Sequence, residues 1–140
     1  MRKFVRFLPV LLLFLSLAVS AADGDLSFKD WQAADQKSKL HFMTLLILAV
    51  NHDSTVVRLP ATYYVRELDS LVANTEANEG EAGMAQSIGY SFKTIAVMDC
   101  DWDNGQDRLE YAKKLMGPDI FAVFQKNYPD KYRRIVNGCR

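Results

Sequence analysis

The chain is poor in the residues that usually announce a chemistry. It has two cysteines, two histidines, four prolines and seven glycines in 140 residues, and its 17 basic residues only match its 17 acidic ones. Without Cys-x-x-Cys there is no redox pair to read. His41 and His52 are too far apart to share a helical face as metal ligands, so a satisfied core or capping role is expected for each. Serines are few, and none sits in the strand-turn-helix context of a nucleophile elbow. No pair of carboxylates stands out for glycoside chemistry. Runs of alternating apolar and polar residues are missing, and hairpin dipeptides are absent outside one acidic loop, which argues against a sheet. No basic excess exists to hold nucleic acid or an anionic membrane.

What is present begins with an address. Arg2, Lys3 and Arg6 precede an apolar run over 7–19, and Val19-Ser20-Ala21-Ala22 supplies the small residues at which signal peptidase cuts. Residues 1–22 are therefore expected to be a cleaved signal peptide, and residues 23–140 a single helical domain, periplasmic or secreted. No cysteine at the cut can carry a lipid. The apolar run falls short of the ~20 residues that span a bilayer, so no stable membrane anchor is expected after cleavage. Once Arg2, Lys3 and Arg6 leave with the leader, 14 basic residues face 17 acidic ones and the net charge is −3. In an oxidising compartment, Cys100 and Cys139 are expected to form a disulfide. Closing a loop of that length contributes ~4 kcal/mol at best.

The remaining pattern predicts an all-α orthogonal bundle of about five or six helices. Ser27 with Asp30 three residues on, flanked by Leu26 and Trp31, predicts the N-terminus of a long first helix. Its apolar stretch Leu40–Val50 is expected to be the buried centre. Asn51–Ser54 stops it, and Pro60 suits the first turn of a second helix whose face carries Ala61, Tyr64, Val65, Leu68, Leu71 and Val72. The polar stretch Asn74–Glu81 reads as a flexible loop. A third helix is expected over Ala82–Met98, with Ala85 and Gly89 allowing close approach to the first. Arg108–Met116 reads as a fourth helix, Gly117-Pro118 as its end and the start of a fifth, and Tyr128-Pro129-Asp130 as the start of the last.

One stretch has metal-ligand spacing. Asp99, Asp101, Asp103, Gly105, Asp107 and Glu110 occupy positions one, three, five, seven, nine and twelve of a twelve-residue window, which is the spacing of an EF-hand calcium loop. Asn104 stands where that motif wants glycine, and Gln106 where it wants a branched apolar residue. The same residues also read as ordinary turn chemistry, with Asp107 as an N-cap and Glu110 at its third position. Trp102 either folds back over the helices or projects to anchor a partner. Phe121, Phe124, Tyr128 and Tyr132 lie at helical spacing, and Tyr128 and Tyr132 are the ones expected at an interface. The expected function is a protein-interaction module of the inhibitor, immunity or secretion-accessory type, engaging another envelope or secreted protein without a cofactor. The alternative is a calcium-binding helix-loop-helix protein.

Overall fold

The computed structural model describes residues 26–140, so the expected leader and its cleavage point lie outside the described residues. Six helices follow in order: α1 (Phe28–Ala33), α2 (Gln36–His52), α3 (Ala61–Glu79), α4 (Ile88–Met98), α5 (Arg108–Asn127) and α6 (Pro129–Val136). A 3₁₀ segment, Gly80–Ala85, links α3 to α4. Among the described residues there is no strand, and no helix is long and apolar enough to cross a membrane.

The capping box at Ser27 forms as its sequence predicts. The Ser27 hydroxyl accepts from Asp30 N–H at 3.1 Å, while the Asp30 carboxylate accepts from Ser27 N–H at 3.2 Å. The long first helix does not form. It breaks at Ala34, which is extended, because the Asp35 carboxylate caps a new helix by accepting from Ser38 N–H at 2.7 Å. The break lets α1 turn Phe28 and Trp31 fully inward. Asp69 on α3 then ties the three first helices together, accepting from Trp31 Nε1, Gln36 Nε2 and Lys39 Nζ at 2.9, 3.0 and 2.9 Å. Burial alone would raise the Asp69 pKa, but the bonds from Lys39, Gln36 and Trp31 outweigh it and hold the carboxyl below its usual value.

Leu40–Val50 is only half buried, contrary to expectation. Phe42 and Met43 enter the core, whereas Leu40, Leu45 and Leu48 are exposed, Leu48 at 60%. Helix α2 has α3 as its main neighbour and therefore covers one face. His41 and His52 both lie exposed on α2, so neither is a core histidine.

On α3 the predicted face is the buried face, with Tyr64, Val65, Leu68 and Val72 inside and Ala61 and Leu71 partly so. Pro60 stands at the N-cap, one place before the first turn. The expected loop Asn74–Glu81 is instead mostly helix, since α3 runs on to Glu79. Thr75 is buried there, and a Cβ on Gly83 would lie 2.5 Å from the Thr75 methyl, so only glycine lets the 3₁₀ segment fold back so closely. Helix α4 accordingly starts at Ile88, capped by the Ser87 hydroxyl accepting from Tyr90 N–H at 3.2 Å. Ala85 is exposed and outside the helix, so it forms no small-residue stripe with Gly89. Gly117, at φ 73° and ψ 170°, kinks α5 before Pro118, where one helix was expected to end and the next to begin. Cys100 and Cys139 are bonded, as expected.

Candidate functional site

The acidic loop starts from the way α4 ends. Cys100 N–H bonds Val97 O at 3.2 Å and Asp101 N–H bonds Ala96 O at 2.8 Å, with Cys100 at φ 60°. This is a Schellman closure with cysteine in the left-handed position that glycine usually takes. Helix α6 closes the same way through Gly138 and Cys139, the latter bonding Arg134 O at 2.7 Å. The disulfide thus joins two helix C-termini.

The turn at Cys100 drives Asp101 into the protein, where it is 7% exposed. Its carboxylate accepts from the backbone N–H of Arg58 and Leu59, both at 2.9 Å, and from the Tyr64 hydroxyl. One carboxylate thereby fixes the entry to α3 against the exit of α4. Two residues on, Asp103 and Val56 exchange backbone bonds of 2.7 and 3.1 Å as an isolated bridge. Asp99 faces the other way, accepting from the Tyr63 hydroxyl and from Lys131 Nζ on α6 at 2.6 Å. Burial first, and then the bond to Asp99, raises the Tyr63 pKa above its ordinary value. Burial and the bond to Asp101 do the same to Tyr64.

The remaining acids of the twelve-residue window are spent locally. Asp103 accepts from Gly105 N–H at 3.3 Å and pairs with Arg108 at 3.4 Å. Asp107 caps α5 by accepting from Glu110 N–H at 2.9 Å, and the exposed Glu110 carboxylate takes Lys113 Nζ at 3.2 Å. The carboxylates of Asp99, Asp101, Asp103, Asp107 and Glu110 therefore each accept from separate protein donors, and Gly105 contributes its N–H to Asp103. Among the described residues, no three His, Cys, Asp or Glu side chains are grouped so as to hold a metal ion.

Trp102 folds back. It is 9% exposed, packed edge-on to Phe92 at 6.2 Å and stacked with Tyr111 at 6.4 Å, with the Lys93 ammonium 5.1 Å over its ring. It closes the loop onto α4 and α5 instead of projecting as an anchor. Tyr132 is half-buried against Phe121 and Phe124. Tyr128 stacks on Phe124 and remains 48% exposed.

Tyr128 borders a cleft of about 380 Å³ between α3, α4 and the C-terminal part of the chain. Its lining mixes apolar and hydroxyl side chains, with Leu71 on α3, Ile95 and Met98 on α4, and the buried Ser91, while the exposed Tyr90 and Ile120 also border it. Glu67, Asp99 and Lys131 make one end polar. Val123, one helical turn from Ile120 on α5, is also exposed. Tyr90, Ile120, Asp99 and Lys131 were not singled out as a group from sequence. The available signal was the 120/123 spacing, set apart from the 121/124 pair that turns inward.

This arrangement offers a trough of mixed character with a charged end, framed by helices, and such troughs bind side chains. Compared with family models, with curated proteins and with solved structures, the chain finds no match, so the cleft stands on its own geometry.

Proposed function

We propose that the protein is an exported helical interaction module, periplasmic or secreted, whose cleft between α3, α4 and the C-terminal part of the chain takes an apolar side chain of another envelope or secreted protein. The observation behind this reading is that Tyr90, Ile120 and Tyr128, each more than 40% exposed, line one cleft, with the exposed Val123 one turn from Ile120. Large apolar residues gathered on a surface mark an interaction site more often than scattered ones do. Tyrosine brings an apolar ring and a polar tip at low entropic cost, which suits a partner surface. The polar end, where Lys131 bridges to Asp99, would set the partner's orientation. Inhibitor, immunity and secretion-accessory proteins work through surfaces of this kind, and that comparison is one of architecture alone.

The test is site-specific photocrosslinking in the producing cell. Benzoylphenylalanine at Ile120 or at Val123 should yield one common adduct in the envelope fraction, and Tyr128→Ala should weaken it about tenfold or more while lowering Tm only by the ~2–6 °C that loss of its stack on Phe124 costs. Adducts at Leu48 on α2 with none at Ile120 or Val123 would move the interaction surface elsewhere. Recovery of a chain beginning at Asp23 from the same fraction checks the export half.

A further inference from the structure

The wall of the cleft formed by Ile120, Tyr128 and Lys131 belongs to a unit that few polar or covalent links join to the rest of the chain, although its Phe124 and Ile135 are buried in the shared core. It starts at a hinge. Gly117 is in the left-handed region at φ 73°, and Pro118 has no N–H to return to the preceding turn, so the helix hydrogen bonds are interrupted there. The body side of the hinge is anchored, since the Tyr90 hydroxyl donates to Leu115 O at 3.1 Å.

Beyond the hinge, the aromatic rings pack on one another. Phe121, Phe124, Tyr128 and Tyr132 contact each other at 5.9–6.4 Å, whereas Tyr63, Tyr64, Phe92, Trp102 and Tyr111 form a separate chain of contacts in the body. The turn and cap bonds of residues 118–140 also stay inside the unit, as Tyr128 N–H to Phe124 O, Tyr132 N–H to Tyr128 O and Cys139 N–H to Arg134 O. Two polar or covalent links cross to the body among the described residues, and they are adjacent. Asp99 holds Lys131 at 2.6 Å, and Cys100 holds Cys139. Cys100 and Cys139 each hold a left-handed φ of 60°, a conformation that costs a non-glycine residue energy and that the cross-link restrains.

We propose that residues 118–140 are a hinged flap forming one wall of the cleft, clasped by the Cys100–Cys139 disulfide and the Asp99–Lys131 pair, and that reduction by a dithiol releases it. In that step the dithiol gives two electrons and two protons, the S–S bond breaks into two thiols, and the reductant leaves as its own disulfide. Lys131 is then the one polar tether among the described residues, an ion pair whose ammonium is 37% exposed and weakened by solvent, beside the apolar contacts of Phe124 and Ile135 with the core. The flap is an opening unit of lower stability than the helices it covers. What its opening exposes rests on the docking role proposed above, but the motion itself does not.

Amide hydrogen exchange read by mass spectrometry tests it on the disulfide-intact protein before and after dithiothreitol, with thiols counted by alkylation. Residues 118–140 should exchange about tenfold faster or more after reduction, while α2, α3 and α4 keep their protection. The double variant Cys100→Ser/Cys139→Ser should reproduce that pattern without reductant, and adding Lys131→Ala should extend it. A uniform rise along the whole chain would make the disulfide a global staple and overturn the flap, as would unchanged exchange in 118–140. Because this readout needs no partner, it can fail while the crosslink at Ile120 forms, or succeed while that crosslink is absent.

Discussion

Replacing Asp101 by Asn tests the central structural claim, that one buried carboxylate locks the start of α3 to the end of α4. The substitution keeps the shape and removes the charge. In the wild type the two oxygens serve three donors, Arg58 N–H, Leu59 N–H and the Tyr64 hydroxyl. Asparagine keeps one oxygen and turns an NH₂ toward a backbone donor. At least one bond to a charged acceptor, ~1.5–3 kcal/mol, is lost, and a buried donor is left unpaired at ~1–3 kcal/mol. A cost of about 3 kcal/mol follows, a large part of the ~5–15 kcal/mol that such a domain has in total. For a chain of this size, each kcal/mol shifts Tm by about 4 °C, so Asp101→Asn should melt roughly 12 °C lower. Thermal and urea unfolding followed by circular dichroism measure it, with an unchanged m-value showing that the unfolding reaction is the same. Tyr64→Phe alone should cost about 1 kcal/mol, and the double variant less than the sum of the two, since both act on one bond. A Tm within ~4 °C of wild type for Asp101→Asn would refute the argument.

Two further outcomes follow from the same network. Tyr63 and Tyr64 keep their protons in the folded state at pH values where free tyrosine, near ~10, loses them. Their contribution to stability is therefore complete below pH ~10 and falls as pH rises above it. Stability measured from pH 9 to 11 should fall more steeply in the wild type than in Tyr63→Phe/Tyr64→Phe, and parallel curves would contradict the assignment. At the other end of the scale the lowered Asp69 acts in reverse, adding stability above the unfolded value of ~3.9 that disappears as pH falls below it. Calcium should leave the chelator-treated protein unchanged, because Asp99 and Asp101 are engaged by protein donors. A site of ~1 mM affinity would add about 1 kcal/mol at 5 mM calcium, or ~4 °C in Tm, so a rise of that size, absent with magnesium and lost in Glu110→Gln, would establish a site that the arrangement of carboxylates does not show.

The parts of the fold legible in the sequence were those set by neighbours along the chain. The Ser27 box, the α3 face, the Asp107 cap, the break at Gly117-Pro118 and the start at Pro129 all depend on residues adjacent or a few places apart in the chain. The disulfide was legible by arithmetic, since two cysteines allow one pairing. Misreadings arose where a distant contact decides. Asn74–Glu79 has almost nothing apolar to signal a helix, and its extension is held by Thr75 packing against Gly83. Ala33, Ala34 and Asp35 contain no glycine or proline, yet the Asp35 cap divides the first helix there. Leu40–Val50 has the apolar content of a central helix, but periodicity cannot count the neighbours a helix will have, and α2 has one principal neighbour.

The acidic loop shows why spacing is a weak guide to chemistry. Carboxylates on alternate residues of a turn converge on an ion only if the backbone leaves them free. Here the cysteine-containing closure of α4 sends Asp101 toward 58–64 and Asp99 toward 63 and 131, two directions set by segments about forty residues upstream and thirty downstream. Glu110 is carried off by the first turn of α5. Trp102 follows from the same geometry, because a residue flanked by two inward ties, the Asp101 carboxylate and the Asp103 bridge, is pulled onto Phe92 and Tyr111. The loop thus fastens the start of α3 to the end of α4. By fixing Asp99 and Cys100 it presents both points at which residues 118–140 are clasped, and so it sets the width of the cleft it does not itself line except through Asp99.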